Sequence, residues 1–162
     1  MSAAPKTNPH QEPRLVKAVI NVGVGSILEK DQRTKIASAV ADIAGQKPVA
    51  TKARKSIAAF KIREGNTVGY MVTVRGARLE NLKNRIINIV LPRTRDFRGI
   101  KPGSVTDGGC LHLGIKDASI FPEIKPEQFA RPVSLEVSFI STAKGKDASV
   151  AYFTSLGFPL EK

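Results

Sequence analysis

Alternating apolar and polar residues predict several strands in this 162-residue chain. Over residues 14–22, the apolar side chains Val16, Ala18, Ile20 and Val22 fall on one side, which is the period of a half-buried strand. The same alternation covers residues 67–75 and 133–140. Residues 49–66 lack it, and we expect a long loop there that leads into the next strand. Two short strands are predicted at 111–115 and near 119–121.

Apolar residues at helical spacing predict three helices, at residues 30–44, 77–90 and about 147–156. In the first of these, Ile36, Val40 and Ile43 lie on one face. Gly45 suits the left-handed position that commonly ends a helix. Pro92 is expected to stop the second helix, because proline cannot continue the backbone hydrogen bonding.

The order of these elements predicts the fold class. Strands at hairpin-scale spacing, interrupted by amphipathic helices, predict an α+β fold with a mostly antiparallel sheet and helices packed on one face. We expect residues 1–13, which contain three prolines, to be a flexible tail. Residues 14–162 are then expected to form a single domain.

The net charge indicates the kind of partner. The chain has 26 lysines and arginines against 14 acidic residues, for a formal charge of +12. Residues 47–63 hold six basic residues and no acidic one, and residues 75–101 hold eight basic residues and two acidic ones. Such blocks favour a polyanionic partner, with nucleic acid first and an anionic membrane surface second. The alternative is a charged surface that serves only solubility.

The composition of the two basic blocks favours RNA or DNA over a membrane. The first block mixes lysine and arginine with small residues, Ser56 and Phe60, whereas a membrane-binding helix needs a stronger apolar face. The second block spaces three arginines around Phe97, and arginine can grip phosphate bidentately. Phe97 either anchors this loop in the core or stacks on an unpaired base. Asp96 is a candidate partner for one of these arginines.

Motifs for catalysis or cofactor binding are not found in the sequence. A dinucleotide fingerprint after the first strand would need glycine at position 28, which is leucine. We therefore interpret Gly23 and Gly25 as a tight turn that uses positive φ angles. His112 alternates with leucines and is predicted to face solvent, and Cys110 is the single cysteine. No enzyme activity, cofactor or metal site is predicted, and a small nucleotide-dependent enzyme is the disfavoured alternative.

Seven motifs carry a resemblance to a known family. They are INVGVG (20–25), GQKPVATKARKSIAAFKIREG (45–65), VTVRG (72–76), LPRTRDFRG (91–99), LGIKDASIFPEI (113–124), TAKGKDA (142–148) and LGFP (156–159). In this order and spacing the chain resembles the universal 5S rRNA-binding ribosomal proteins, numbered five in the large-subunit series. The resemblance implies a non-enzymatic structural protein of the cytoplasmic ribosome. The alternative that also binds RNA is a free-standing RNA-binding or chaperone module that has no fixed position on the ribosome.

The resemblance also implies partners and contact residues. The expected partners are 5S rRNA in the central protuberance, 23S rRNA, the P-site tRNA and neighbouring proteins, including one of the small-subunit head, with no membrane partner. Matching motif positions assign 5S rRNA contacts to Asn21, Gln46 and Thr73, and the adjacent cations Lys47 and Arg75 join them. Short amides and hydroxyls can donate to and accept from bases and 2′-hydroxyl groups.

Two loops carry the remaining implied contacts. The loop expected to face the P-site tRNA matches residues 51–65, which makes contact candidates of Lys52, Arg54, Lys55 and Ser56. Other RNA contacts, or the bridge to the small subunit, are assigned to Arg93, Arg95 and Arg98.

The chain departs from the family pattern in two places. Family members usually have a helical segment before the first strand, where a short proline-rich stretch precedes Arg14 here. We expect any contact of that segment to be absent or replaced. The stretch Thr106–Leu111 lacks the arginine and the aromatic residue of the family's D-G-R-G-N-Y motif. We expect the contacts of this loop to differ.

Overall fold

A computed structural model describes residues 12–25, 27, 29–95, 97–125, 127, 129 and 131–161. Most of the predicted tail, residues 1–11, lies outside them. The described residues form the strands β1 (Leu15–Gly23), β2 (Val49–Lys52), β3 (Thr67–Val74), β4 (Cys110–Ile115) and β5 (Leu135–Ser141). They also form the helices α1 (Lys30–Ala44), α2 (Ala77–Arg85), α3 (Leu91–Arg93) and α4 (Lys146–Ser155).

The strands form one antiparallel sheet in the order β2-β3-β1-β5-β4. β1 lies at the centre, where Ile20 is opposite Val72 of β3 on one side and Val137 of β5 on the other. Because the side chains of a strand alternate between faces, these three residues point to the same side, and all are buried. The prediction of an α+β fold with a mostly antiparallel sheet is confirmed.

The helices pack on the apolar face of the sheet and leave the other face open. Ile43 of α1, Leu82 of α2 and Phe153 of α4 are fully buried in the same core as the inward-facing strand residues. Phe158 lies between strand and helix, with its ring centroid 5.1 Å from that of Phe139 and 5.8 Å from that of Phe153. This tilted packing is the geometry that aromatic pairs prefer.

The first helix follows its sequence pattern closely. α1 has the predicted bounds, and Gly45 ends it in the left-handed region with φ of 66°. The Gly45 N–H donates to the carbonyl oxygen of Ala41 at 2.8 Å, which satisfies one acceptor at the helix end.

The prediction that Val16 faces the core is wrong. The register between β1 and β5 shifts between Leu15 and Lys17, which marks a bulge or irregularity. An extra residue in one strand reverses the side to which the preceding residue points. Val16 is therefore 39% exposed, while Leu15 packs against the core.

The prediction that Pro92 stops the second helix is also wrong. Residues Ile86–Val90 form a π-helical turn after α2, in which the Leu91 N–H donates to the carbonyl oxygen of Ile86. A new helical segment starts at Leu91, so Pro92 occupies its first turn. There the missing N–H of proline costs little, because first-turn N–H groups have no partner within the helix.

Two further local predictions are wrong. Residues 49–66 contain the edge strand β2, whose four residues pair with β3 and are too few and too exposed to show a period. Residues 118–120 form a 3₁₀ turn instead of a strand. The Asp117 carboxylate accepts a hydrogen bond from the Ser119 N–H at 2.9 Å, and this bond favours a turn over an extended strand.

The turn before β4 generates a stability prediction. Gly109 has φ of 76°, and a Cβ there would collide with the carbonyl oxygen of Ala143 and lie 3.1 Å from that of Ser141. Gly109→Ala is expected to lower the free energy of unfolding by about 1–3 kcal/mol, as measured by urea denaturation. Gly108→Ala is the matched control, because a Cβ there has no neighbour closer than 4.0 Å. Equal stability of the two variants would contradict this account.

Candidate nucleic-acid interface

The open face of the sheet carries two of the three polar residues assigned to 5S rRNA. Asn21 is exposed on β1, opposite Met71 of β3 and Glu136 of β5. Thr73 is half-buried on β3, opposite Val19. Cross-strand alternation puts all of these side chains on the side away from the helices. Asn21 and Thr73 are diagonal neighbours on adjacent strands, a relation that typically spans roughly 7–8 Å.

Gln46 reaches the same strand from the end of α1. Gly45 turns the chain, and the Gln46 side chain then donates from Nε2 to the carbonyl oxygen of Thr73 at 2.8 Å. Its Oε1 accepts from Nη1 of Arg78 at 3.2 Å. The amide is therefore held in place by groups of the fold, while its second N–H and second lone pair can meet a ligand. The structure thus brings Gln46 to the backbone of Thr73, and Thr73 is in turn the diagonal neighbour of Asn21.

The two cations assigned to this site flank it. Lys47 is exposed directly after Gln46, and Arg75 is exposed directly after β3 ends. Lys47 follows Gln46, whose side chain is hydrogen-bonded to β3, and Arg75 lies two residues after Thr73. They can supply charge at the rim while neutral side chains supply hydrogen bonds.

Apolar side chains on the open face were missed by the sequence analysis as contact candidates. Val49 of β2 is 66% exposed and Met71 of β3 is 40% exposed, and the register places them opposite each other. Such side chains can pack on ribose and base surfaces. The sequence did not reveal that Val49 and Met71 are paired, because β2 shows no alternation of apolar and polar residues.

The connection between β2 and β3 is an ordered hairpin extension. Ala53 and Asn66 are joined by an N–H···O bond of 2.8 Å, and the backbones of Ile57 and Ile62 exchange two bonds of 2.9 and 3.2 Å. The Ser56 hydroxyl oxygen accepts from the Glu64 N–H at 3.0 Å, so Ser56 stabilises the loop. The hydroxyl proton of Ser56 can still donate to a ligand.

This hairpin presents cations together with apolar groups. Its predicted contact residues Lys52, Arg54, Lys55 and Ser56 are all exposed. Phe60 at the tip is 70% exposed and Ile57 is 45% exposed. An exposed aromatic ring among cations is the combination that stacks on nucleic-acid bases while the charges meet phosphates.

The third predicted group lies on a separate connection. Arg93, Arg95 and Arg98 are exposed around the end of α3, where the chain leaves the helical layer. Phe97 packs against the core, which supports its role as an anchor of this loop. Asp96 lies outside the described residues. The loop is tied to the C-terminal segment, because the Ile100 N–H donates to the carbonyl oxygen of Pro159 at 2.8 Å.

Part of the second basic block is used inside the fold. Lys83 pairs with Glu80, and Arg85 pairs with Glu123. Arg85 also donates to the carbonyl oxygen of Ile43 at 2.6 Å, which joins α2 to α1. The charge of this block is therefore shared between internal ion pairs and the exposed arginines of the loop.

A turn follows β1, as expected, since the Ile27 N–H donates to the carbonyl oxygen of Val24 at 3.0 Å, but its glycines do not have the expected conformation. Neither Gly23 nor Gly25 has a positive φ, so the predicted reason for these glycines is wrong. Val24 between them is fully buried, and its N–H donates to the carbonyl oxygen of Val68 at 2.8 Å. The pairing with β3 thus continues past the glycines instead of opening into a nucleotide-binding turn.

Three remaining points of the structure concern His112, metal ligands and membrane-spanning helices. His112 is exposed, as predicted. Within the described ranges, no group of three or more histidine, cysteine or acidic residues is arranged to hold a metal ion. Among the helices that the structure describes, none has the length and apolar character to cross a membrane.

A sheet that is covered by helices on one face and open on the other, with cationic loops beside it, is an arrangement typical of α+β proteins that bind nucleic acids. Sequence comparisons specify the class further. The family model described as ribosomal protein L5 matches residues 8–63, and the model described as the ribosomal L5P family C-terminus matches residues 67–160.

Individual relatives agree with the family models. The large ribosomal subunit protein uL5 of Fervidobacterium nodosum is 44% identical over 96% of this chain and 85% of its own length. The uL5 proteins of Kosmotoga olearia and Rhodopirellula baltica are 46% and 41% identical over the same share of this chain. They are matched over 85% and 80% of their own lengths.

The chain belongs to the ribosomal L5 protein family. It is therefore a structural constituent of the large ribosomal subunit and not an enzyme, with rRNA and ribosomal proteins as its partners. The ribosomal, cytoplasmic location implied by the resemblance is confirmed by relatives that are all named as large-subunit proteins.

The geometry at Gln46 generates a prediction that needs no RNA. Gln46→Ala is expected to lower the free energy of unfolding by about 0.5–1.5 kcal/mol, because it removes the hydrogen bond to the Thr73 carbonyl oxygen. Lys47→Ala, one residue further on, is expected to change it by less than about 0.5 kcal/mol. Urea denaturation checks both values, and an unchanged Gln46→Ala would contradict the bond's role.

Proposed function

We propose that this protein binds 5S rRNA through the open face of its sheet. The observation that supports this most directly is that Asn21 and Thr73, which are distant in sequence, are diagonal neighbours on that face, and that Gln46 is hydrogen-bonded to the backbone of Thr73. Their neutral donors and acceptors suit bases and 2′-hydroxyl groups, which distinguish one RNA from another. Lys47 and Arg75 at the rim contribute affinity that is independent of sequence.

Two further contacts complete the proposal. The hairpin extension between β2 and β3 contacts the P-site tRNA, with Lys52, Arg54 and Lys55 on its phosphates and Ser56 beside them. The arginines Arg93, Arg95 and Arg98 contact 23S rRNA or the bridge to a small-subunit head protein. These assignments are supported by exposed charge on two separate connections and by the family motifs that carry them.

The 5S rRNA assignment predicts losses of affinity without losses of stability. Asn21→Ala and Thr73→Val each remove a hydrogen-bonding group from the open face, and each is expected to weaken 5S rRNA binding about three- to tenfold. Filter-binding titration at physiological salt measures this, beside an unrelated structured RNA as the control ligand. The wild type is expected to bind 5S rRNA more tightly than that RNA. Equal affinity for the two RNAs would overturn the specific proposal.

The hairpin assignment predicts a division between the two RNAs. Lys52→Ala and Arg54→Ala are expected to leave 5S rRNA affinity within about twofold. The reason is that Lys52, the last residue of β2, is opposite Thr67 at the far end of β3 from Thr73, and Arg54 follows it in the hairpin extension. In ribosomes that carry either variant, P-site tRNA is expected to dissociate faster. A matched control is Lys125→Ala, which removes an exposed cation outside both basic blocks. A large loss of 5S rRNA affinity would refute this division.

A further inference from the structure

A shallow pocket lies at one end of the open face, where β1, β5 and β4 run side by side. It has a volume of about 450 Å³ and its lining includes Asn21, Gly23, Gly114, Lys116, Ser134 and Glu136. This volume is within the range of pockets that hold small molecules, roughly 300–1,000 Å³. The family motifs assign only Asn21 among these residues to RNA.

Glycines leave the pocket open. Gly114 of β4 is directly opposite Glu136 of β5, and Glu136 is opposite Asn21 of β1. A Cβ placed on Gly23 or on Gly114 would meet no atom within 4 Å. Missing side chains at both positions therefore expose backbone, against which a planar ring can lie.

Glu136 is an unusual residue for an RNA-facing surface. Its side chain is 50% exposed, and a carboxylate repels phosphates. His112 Nδ1 lies 3.1 Å from its Oε1, and the Ser138 hydroxyl donates to the same oxygen at 3.3 Å. The carboxylate is thus oriented from the side away from Asn21. A group that accepts hydrogen bonds and never donates them selects a ligand rich in N–H groups.

We propose that this pocket binds one unpaired guanine base of 5S rRNA, an inference that rests on the proposed function. The Watson–Crick edge of guanine has two adjacent donors, N1–H and the N2 amino group. His112 Nδ1 is closer to the Ser138 hydroxyl oxygen, at 2.9 Å, than to Glu136 Oε1. Glu136 can therefore accept from guanine with Oε2 and with the lone pair of Oε1 that the Ser138 hydroxyl leaves free. The other three bases each offer a single donor group on that edge. Asn21 bonds a remaining polar atom, and Lys116 meets the phosphate of the same nucleotide.

Inosine substitution tests the contribution of one group of the base, the N2 amino group of guanine. Inosine lacks the N2 amino group of guanosine, so replacing the bound guanosine removes one hydrogen bond to Glu136. A pool of 5S rRNA with inosine at random guanosine positions is selected for binding to the full-length wild-type chain and mapped. Inosine at one position is expected to weaken binding about fivefold to tenfold.

Two variants connect that position to the pocket. For Glu136→Gln, the penalty for inosine at the same position is expected to fall to less than about twofold, because an amide nitrogen in place of one oxygen cannot accept. Gly114→Val fills the pocket and is expected to weaken binding of unmodified 5S rRNA about tenfold. The controls are Glu80→Gln on α2 and Gly103→Val, where a Cβ also meets no atom within 4 Å. Both should behave as the wild type.

The outcomes separate this inference from the proposed function. Specific 5S rRNA binding whose inosine profile is the same in the wild type and in Glu136→Gln would overturn the guanine pocket and leave the 5S rRNA proposal standing. Unimpaired binding by Gly114→Val would also overturn the pocket. A wild type that does not discriminate 5S rRNA from an unrelated RNA would overturn both.

Discussion

The structure depends on the antiparallel pairing of β1 with both β3 and β5. This central strand carries Ala18, Ile20 and Val22 toward the helices and Val19 and Asn21 toward the open side. A shift of one residue in either register would exchange these two sets of side chains. The same pairing therefore builds the core and creates the surface that we assign to RNA.

The residues that carry charge and the residues that we assign to specific recognition occupy different parts of the sheet and its loops. The side chains that converge on the open face are mostly neutral, and the exposed cations lie at its rim and on two loops. Lys83 pairs with Glu80 within α2, and Arg85 joins α2 to Glu123 and to the carbonyl oxygen of Ile43. The net charge therefore overstates the number of cations available to RNA. Electrostatic attraction can then bring RNA to the protein, while geometry at the sheet selects which RNA stays.

The sequence predicted those parts of the fold that local pattern determines. The bounds of α1, the cap at Gly45 and the alternation in β3 and β5 all follow from side-chain period and glycine conformation. The exposed position of Val16 did not, because it depends on an irregular register between strands that are far apart in sequence. The helical path through Pro92 depends on a π turn that no residue pattern marked.

The site was predictable to a similar extent. Family motifs indicated Asn21, Gln46 and Thr73, and the structure joins Gln46 to Thr73 and makes Thr73 a diagonal neighbour of Asn21. The hydrogen bond from Gln46 to the Thr73 backbone joins residues 27 positions apart and has no signature in either segment. The sequence pattern marks Glu136 only as a polar position of a predicted strand, since its proximity to Asn21 requires the register of β1 with β5.

The position of β1 also has a consequence for biosynthesis. Its first partner, β3, follows early in translation, whereas β5 begins only at Leu135. Until that segment emerges, one edge of β1 exposes unpaired backbone groups, and such an edge invites pairing with other chains. The nascent chain is then an incomplete sheet whose free edge needs shielding.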